Sequence, residues 1–362
     1  MYEKDSLSPP EPETGHSKLS TSSRWLIDRI DLSVLASWLL GFGLVFYLAL
    51  EGGGYDSIVR GRVGIVIWWI AIVATLAGAM PLRRHGKLPM VALGLFAGFV
   101  AWTALSLAWT ESEERTVGEL SRVITYFGVF VLALLARGPR AARHMVTAVG
   151  CAIALAALIA LATRLHPDWI PEASQTADFL SGAQSRLSFP INYWNGLAEL
   201  IAIGLPLLLY VATSAKSHFA RAMVGGLLPA VALALFFTFS RTGTGAALAG
   251  LVVFMAFTGD RIAKMLALLV AGTGSIVLIL SASGKDALES GFTGSVASTQ
   301  GDDLTILVIA VCLIVATVHG VISWLISTEW RPRWLRLSRR ESQGIAAVGL
   351  IVLLVSAVAF EI

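Results

Sequence analysis

The residues best suited to chemistry in this chain are arginines set between apolar runs. Phe239-Ser240-Arg241-Thr242-Gly243-Thr244-Gly245 separates two runs that each read as long enough to enter a bilayer. Placing an arginine mid-membrane costs roughly 2.5 to 3.5 kcal/mol, so Arg241 must either snorkel to the headgroups or meet an anion. The apolar run that follows, Ala246 to Phe257, predicts a helix with its amino end at Arg241. Unpaired backbone N–H groups and the positive end of the helix dipole then face the same place as the guanidinium. Together they outline an anion site, with an ordinary interfacial arginine as the alternative.

A second cluster lies upstream. Arg186 precedes Leu187-Ser188-Phe189-Pro190-Ile191-Asn192-Tyr193-Trp194-Asn195-Gly196, a loop leading into another apolar helix. Tyr193 and Trp194 fit an interfacial aromatic belt and Asn192 a helix cap, which explains the stretch without function. Glu199, four residues after Asn195 on the same face, is harder to explain that way. A carboxylate in an apolar helix is expected to face the bundle interior and pair, here with an arginine. Arg122 lies about one turn into its own helix. With Glu119 three residues before it, an i,i+3 ion pair accounts for it as readily as a shared anion site does.

The elements that must position these groups follow from composition. The chain of 362 residues is 56% hydrophobic and 14% charged, with a mean hydropathy of +0.75, well above the apolar share of soluble domains. This predicts an all-α, multi-pass transmembrane helical bundle. A spanning helix needs about 20 mainly apolar residues, and eleven candidates begin near Leu32, Val63, Met90, Val117, Met145, Ile191, Met223, Thr244, Met265, Leu304 and Ile345. Residues 1–31 are poor in large apolar groups and read as a disordered cytoplasmic tail; residues 32–362 form the bundle. With the amino terminus inside, only Arg60, Arg62, Arg115, Arg122, Arg164, Arg186, Arg241 and Lys285 of the 27 basic residues fall outside. A plasma-membrane protein with a cytoplasmic amino terminus is the expectation.

The net charge of +3 follows from topology and implies no nucleic acid. Cys151 and Cys312 sit in apolar runs as small hydrophobes. His319, inside the tenth helix, reads as a hydrogen bond between helices, and the other histidines as loop or tail residues. Gly243, Gly245 and Gly250 with Ala246, Ala247 and Ala249 suit close helix approach. No Ser/His/Asp set, phosphate-cradling glycine loop, paired carboxylates or metal-ligand spacing is legible, so neither a cofactor nor a metal is expected.

Three pieces in order resemble the O-antigen ligase and O-antigen polymerase-like family of bacterial membrane glycosyltransferases: Ser188-Phe189-Pro190-Ile191-Asn192-Tyr193-Trp194-Asn195-Gly196-Leu197-Ala198, Gly204-Leu205-Pro206-Leu207-Leu208-Leu209 and Phe237-Thr238-Phe239-Ser240-Arg241-Thr242-Gly243. The resemblance implies transfer of glycan from an undecaprenyl-diphosphate carrier to an acceptor on the outer membrane face. It casts Arg241, with Arg186 and Arg122, as diphosphate ligands, and Asn195, Glu199, Tyr193 and Trp194 as supporting residues. The family also carries a large outer loop with an acceptor-assisting histidine, which is not seen before Ile362. The expectation is therefore an amino-terminal part or a truncated relative, supplying the lipid-diphosphate half of the site. A transporter or lipid flippase is the alternative, although charges at the rim and the lack of an internal repeat speak against it. A non-catalytic scaffold is the third reading.

Overall fold

The computed structural model describes residues 32–77, 86–134, 138–170, 183–327 and 344. The tail at 1–31, the apolar run from Ile345 and the basic cluster Arg331 to Arg340 lie outside the described residues. The helices are α1 (Leu32–Leu50), α2 (Ser57–Leu76), α3 (Lys87–Leu105), α4 (Glu113–Ala133), α5 (Gly138–Leu165), α6 (Trp194–Ser214), α7 (His218–Phe237), α8 (Arg241–Phe257), α9 (Arg261–Ala282), the single turn α10 (Asp286–Glu289) and α11 (Ser295–Ser327). No strand occurs among the described residues, and the chain is an all-α helical bundle. Eight of the helices are long and apolar enough to cross a membrane, and α1 and α8 are apolar but shorter. This is a membrane protein.

Helix starts fall within about two turns of those read from the sequence, except that α11 begins at Ser295 rather than Leu304. The turns after α1, α5, α7 and α9 gather at one end, called here the cap. There the Leu187 N–H donates to the Phe237 carbonyl at 2.8 Å, and Ser298 Oγ donates to the Asp168 carboxylate at 3.1 Å. His166 Nε2 lies 2.9 Å from Thr305 Oγ1. At the opposite end, basic side chains fold back on helix termini: Arg221 Nε donates to the Ala215 carbonyl at 2.6 Å, Arg261 to Met255 and Ala256, and Lys264 to Gly259. Cations belong there, because the last carbonyls of a helix are unpaired and carry the negative end of its dipole.

The main core joins α5, α6, α7, α8, α9 and α11, with α1 packed along α5. Alanines at Ala148, Ala152, Ala156 and Ala160 bury one face of α5, a spacing of four that brings small residues to a single seam. The most extensive helix pair is α7 with α11. It closes at Gly225 and Gly226, where an added Cβ would strike the His319 ring and the Cys312 carbonyl. His319 is buried and its Nε2 lies 2.9 Å from the Ala212 carbonyl of α6, which meets the expectation of an interhelical bond. A smaller unit of α2, α3 and α4 has its own apolar cluster around Val63, Ile67, Ala71 and Leu132, tied by Trp68 Nε1 donating to the Ile124 carbonyl at 3.2 Å.

Candidate functional site

The site is assembled from the start of α6, the loop before it and the α7–α8 corner. Loop residues Leu187 and Ile191 are buried against the core, which fixes Arg186 between them and the surface. Asn192 does not cap α6 as expected. It adopts a left-handed conformation with φ of 61°, one that asparagine tolerates better than most residues, and the cap position falls to Tyr193. The Tyr193 side chain makes no cap bond to the first N–H groups of α6.

Trp194, the first residue of α6, lies under the Arg186 guanidinium, 5.1 Å from carbon to ring centroid, within cation–π range. Its indole Nε1 is buried and has no hydrogen-bond partner. Asn195 Nδ2 donates to the Tyr193 hydroxyl at 3.2 Å. The aromatic pair therefore does more than line a membrane interface: Tyr193 holds the Asn195 amide, and Trp194 carries a cation.

Asn195 is also the bridge to α8. Ser240 Oγ donates to Asn195 Oδ1 at 2.7 Å while accepting from the Gly243 N–H at 3.1 Å. One hydroxyl thus caps α8 and ties it to α6. The approach is close because Gly243 has no side chain; a Cβ there would collide with Ala198 of α6. Ala247 and Gly250 continue this face. By contrast, Gly245, Ala246 and Ala249 face away from α6 and are exposed. The chain reverses from α7 to α8 in three residues, which requires Phe239 to take a φ of 47°. That is an uncommon conformation for a bulky residue, and one that the surroundings must hold.

Arg241, the first residue of α8, is exposed, and no salt bridge or hydrogen bond of its side chain is found among the described residues. Arg186 likewise meets no carboxylate there. The Asn195–Ser240 bond thus joins the chain neighbours of the two arginines: Arg186 lies over Trp194, the residue before Asn195, and Arg241 follows Ser240. Glu199 is exposed on α6 and forms no ion pair among the described residues, so the expected interior pairing with an arginine is not found.

Arg122 belongs to α4, which packs mainly on α2 and α3. Its Nη1 bonds Glu119 Oε1 at 2.9 Å, with the two side chains 40% and 56% exposed. The local ion pair is thus present, and no contact joins Arg122 to Arg186 or Arg241. Arg164 was not legible as more than a rim charge, yet it is 8% exposed and bonded to two distant carbonyls. Only the tertiary fold reveals it. Ser240 was missed as well, although a serine directly before the first residue of a helix is an N-cap signal. Among the described residues no group of three His, Cys, Asp or Glu side chains could hold a metal ion.

No family model, curated protein or solved structure matches this chain. Any reading of function therefore rests on the geometry and on the sequence motifs that line it.

Proposed function

We propose that this chain binds the diphosphate of an undecaprenyl-linked glycan at the outer face of the plasma membrane and takes part in transferring the glycan to an acceptor. The supporting observation is the link that the Asn195–Ser240 bond makes between Trp194, over which Arg186 lies, and Ser240, which precedes the exposed Arg241, with neither arginine paired to a carboxylate among the described residues. A planar guanidinium pairs with phosphate oxygens through two parallel hydrogen bonds.

In this reading an acceptor hydroxyl attacks the anomeric carbon, giving up its proton to solvent, and the bond from that carbon to the diphosphate oxygen breaks. The electron pair stays on the departing diphosphate, where Arg186 and Arg241 offset the charge as it develops. The amino terminus and the basic end of the bundle face the cytoplasm, in line with the positive charge there. This chain supplies the lipid-diphosphate half of the site, and the acceptor's side is left unassigned.

The test separates charge from geometry at Arg241. Binding of an undecaprenyl-diphosphate glycan to the purified chain is measured for wild type, Arg241→Lys and Arg241→Ala at matched expression. Lysine keeps the charge but loses the planar fork, so the Lys variant should bind about tenfold more weakly, a change of about 1.4 kcal/mol, and the Ala variant more weakly still. A Lys variant equal to wild type would mean that Arg241 only snorkels, and no binding by wild type would remove the proposal.

A further inference from the structure

Arg164, near the end of α5, is a buried cation with no carboxylate partner among the described residues. Its Nη2 donates to the Ser185 carbonyl at 2.8 Å and its Nη1 to the Leu288 carbonyl at 3.2 Å. Its guanidinium carbon lies 5.7 Å from the Phe237 ring centroid. Gly291 makes room for it, since a Cβ there would meet Arg164 Nη1 and the Gln184 carbonyl. Burying an unpaired charge in this way is costly, and an apolar side chain would fill the space at lower cost. What the guanidinium adds is a rigid fork holding two chain segments more than a hundred residues apart in sequence.

The Ser185 segment leads to one guanidinium of the candidate site, and Phe237, whose ring faces Arg164, leads toward the other. Ser185 immediately precedes Arg186, which lies over Trp194; Asn195 follows and accepts from Ser240. From the other side, Phe237 accepts the Leu187 N–H, and the Ser240 N–H donates to Thr238 Oγ1 at 3.2 Å. The contacts close a ring, from Arg164 through Ser185, Arg186, Trp194, Asn195, Ser240, Thr238 and Phe237 back to Arg164. Arg186 lies on this ring and Arg241 is its immediate neighbour.

We infer that Arg164 is a positioning residue that sets the spacing of Arg186 and Arg241 for a diphosphate, an inference that rests on the function proposed above. A residue that only stabilised the fold would affect binding equally whether or not Arg186 were present; a residue acting through Arg186 would not. The experiment is a double-mutant cycle on the full chain, with undecaprenyl diphosphate in detergent micelles as the probe and thermal melting as a control for folding. Arg164→Met and Arg186→Ala should each weaken binding about tenfold, and the double variant should lose no more than about twofold beyond Arg186→Ala. Should Arg164→Met fail to fold, Phe237→Leu, which removes the ring beneath the guanidinium, takes its place with the same non-additivity expected. Additive losses near a hundredfold, or unchanged binding by the Arg164 variant, would overturn the positioning role and leave the diphosphate reading standing. Absence of binding by wild type would remove that reading and this inference with it.

Discussion

Arg164 and Arg241 stand at the same end of the bundle, and the regions around them treat a guanidinium in opposite ways. Around Arg164 the segments after α5 and α9 offer the side chain carbonyl oxygens, and Phe237 of α7 offers it an aromatic face. At the α7–α8 corner the neighbours satisfy one another instead: Ser240 caps α8 and holds Asn195, and Arg241 is left exposed. The difference separates architecture from function. The protein satisfies the charge of Arg164 through its own dipoles, whereas at Arg241 the neighbours satisfy one another and the guanidinium is the group on which the proposed diphosphate site depends.

The contrast can be broken most decisively by alanine at each position. Arg241→Ala should abolish measurable diphosphate binding, a loss of about a hundredfold or more from two charge-assisted hydrogen bonds, with the melting temperature unmoved. Arg164→Ala should weaken binding less, about tenfold, but unlike Arg241→Ala it should lower stability by about 2 to 4 kcal/mol, through a cavity and two abandoned carbonyls, as read by thermal melting in detergent. If the two variants showed the same profile, the division between scaffold and site would be false.

Smaller changes sharpen it. Ser240→Ala removes the cap of α8 and its bond to Asn195, so stability should fall by about 1 kcal/mol and diphosphate binding by a few-fold. A stability loss with no change in affinity would mean that the corner does not aim Arg241. The smallest effect is expected at Arg122, whose exposed pair with Glu119 contributes about 0.3 to 0.5 kcal/mol. Arg122→Ala should leave binding within twofold of wild type, and a large loss would extend the site into the α2–α4 unit.

The long apolar helices were legible because spanning a bilayer demands a length and composition that few other structures share. Their ends were less so. The sequence template places the start of α11 at Leu304 because residues 295–303 are polar, yet cap contacts such as Ser298 with Asp168 hold those turns in a helix. Residue types on α8 suggested close packing throughout, but helical periodicity assigns Gly243, Ala247 and Gly250 to α6 and turns Gly245, Ala246 and Ala249 outward. Arg241 was visible because local sequence suffices to mark a helix start. Arg164 was not, since its environment is built by residues 21 and 124 positions away.

Helix length carries one more consequence. At about 1.5 Å per residue, the 33 residues of α11 extend about 50 Å, whereas the 17 of α8 reach only about 25 Å, less than the roughly 30 Å of bilayer hydrocarbon. Beside α8 the lipid must therefore thin, or its headgroup layer must dip toward Arg241. A lipid-anchored diphosphate drifting along the bundle would meet the guanidinium in that dip without leaving its leaflet. The membrane surface itself, drawn down at the short α8, would then form one wall of the proposed binding place, and acyl-chain length would tune it.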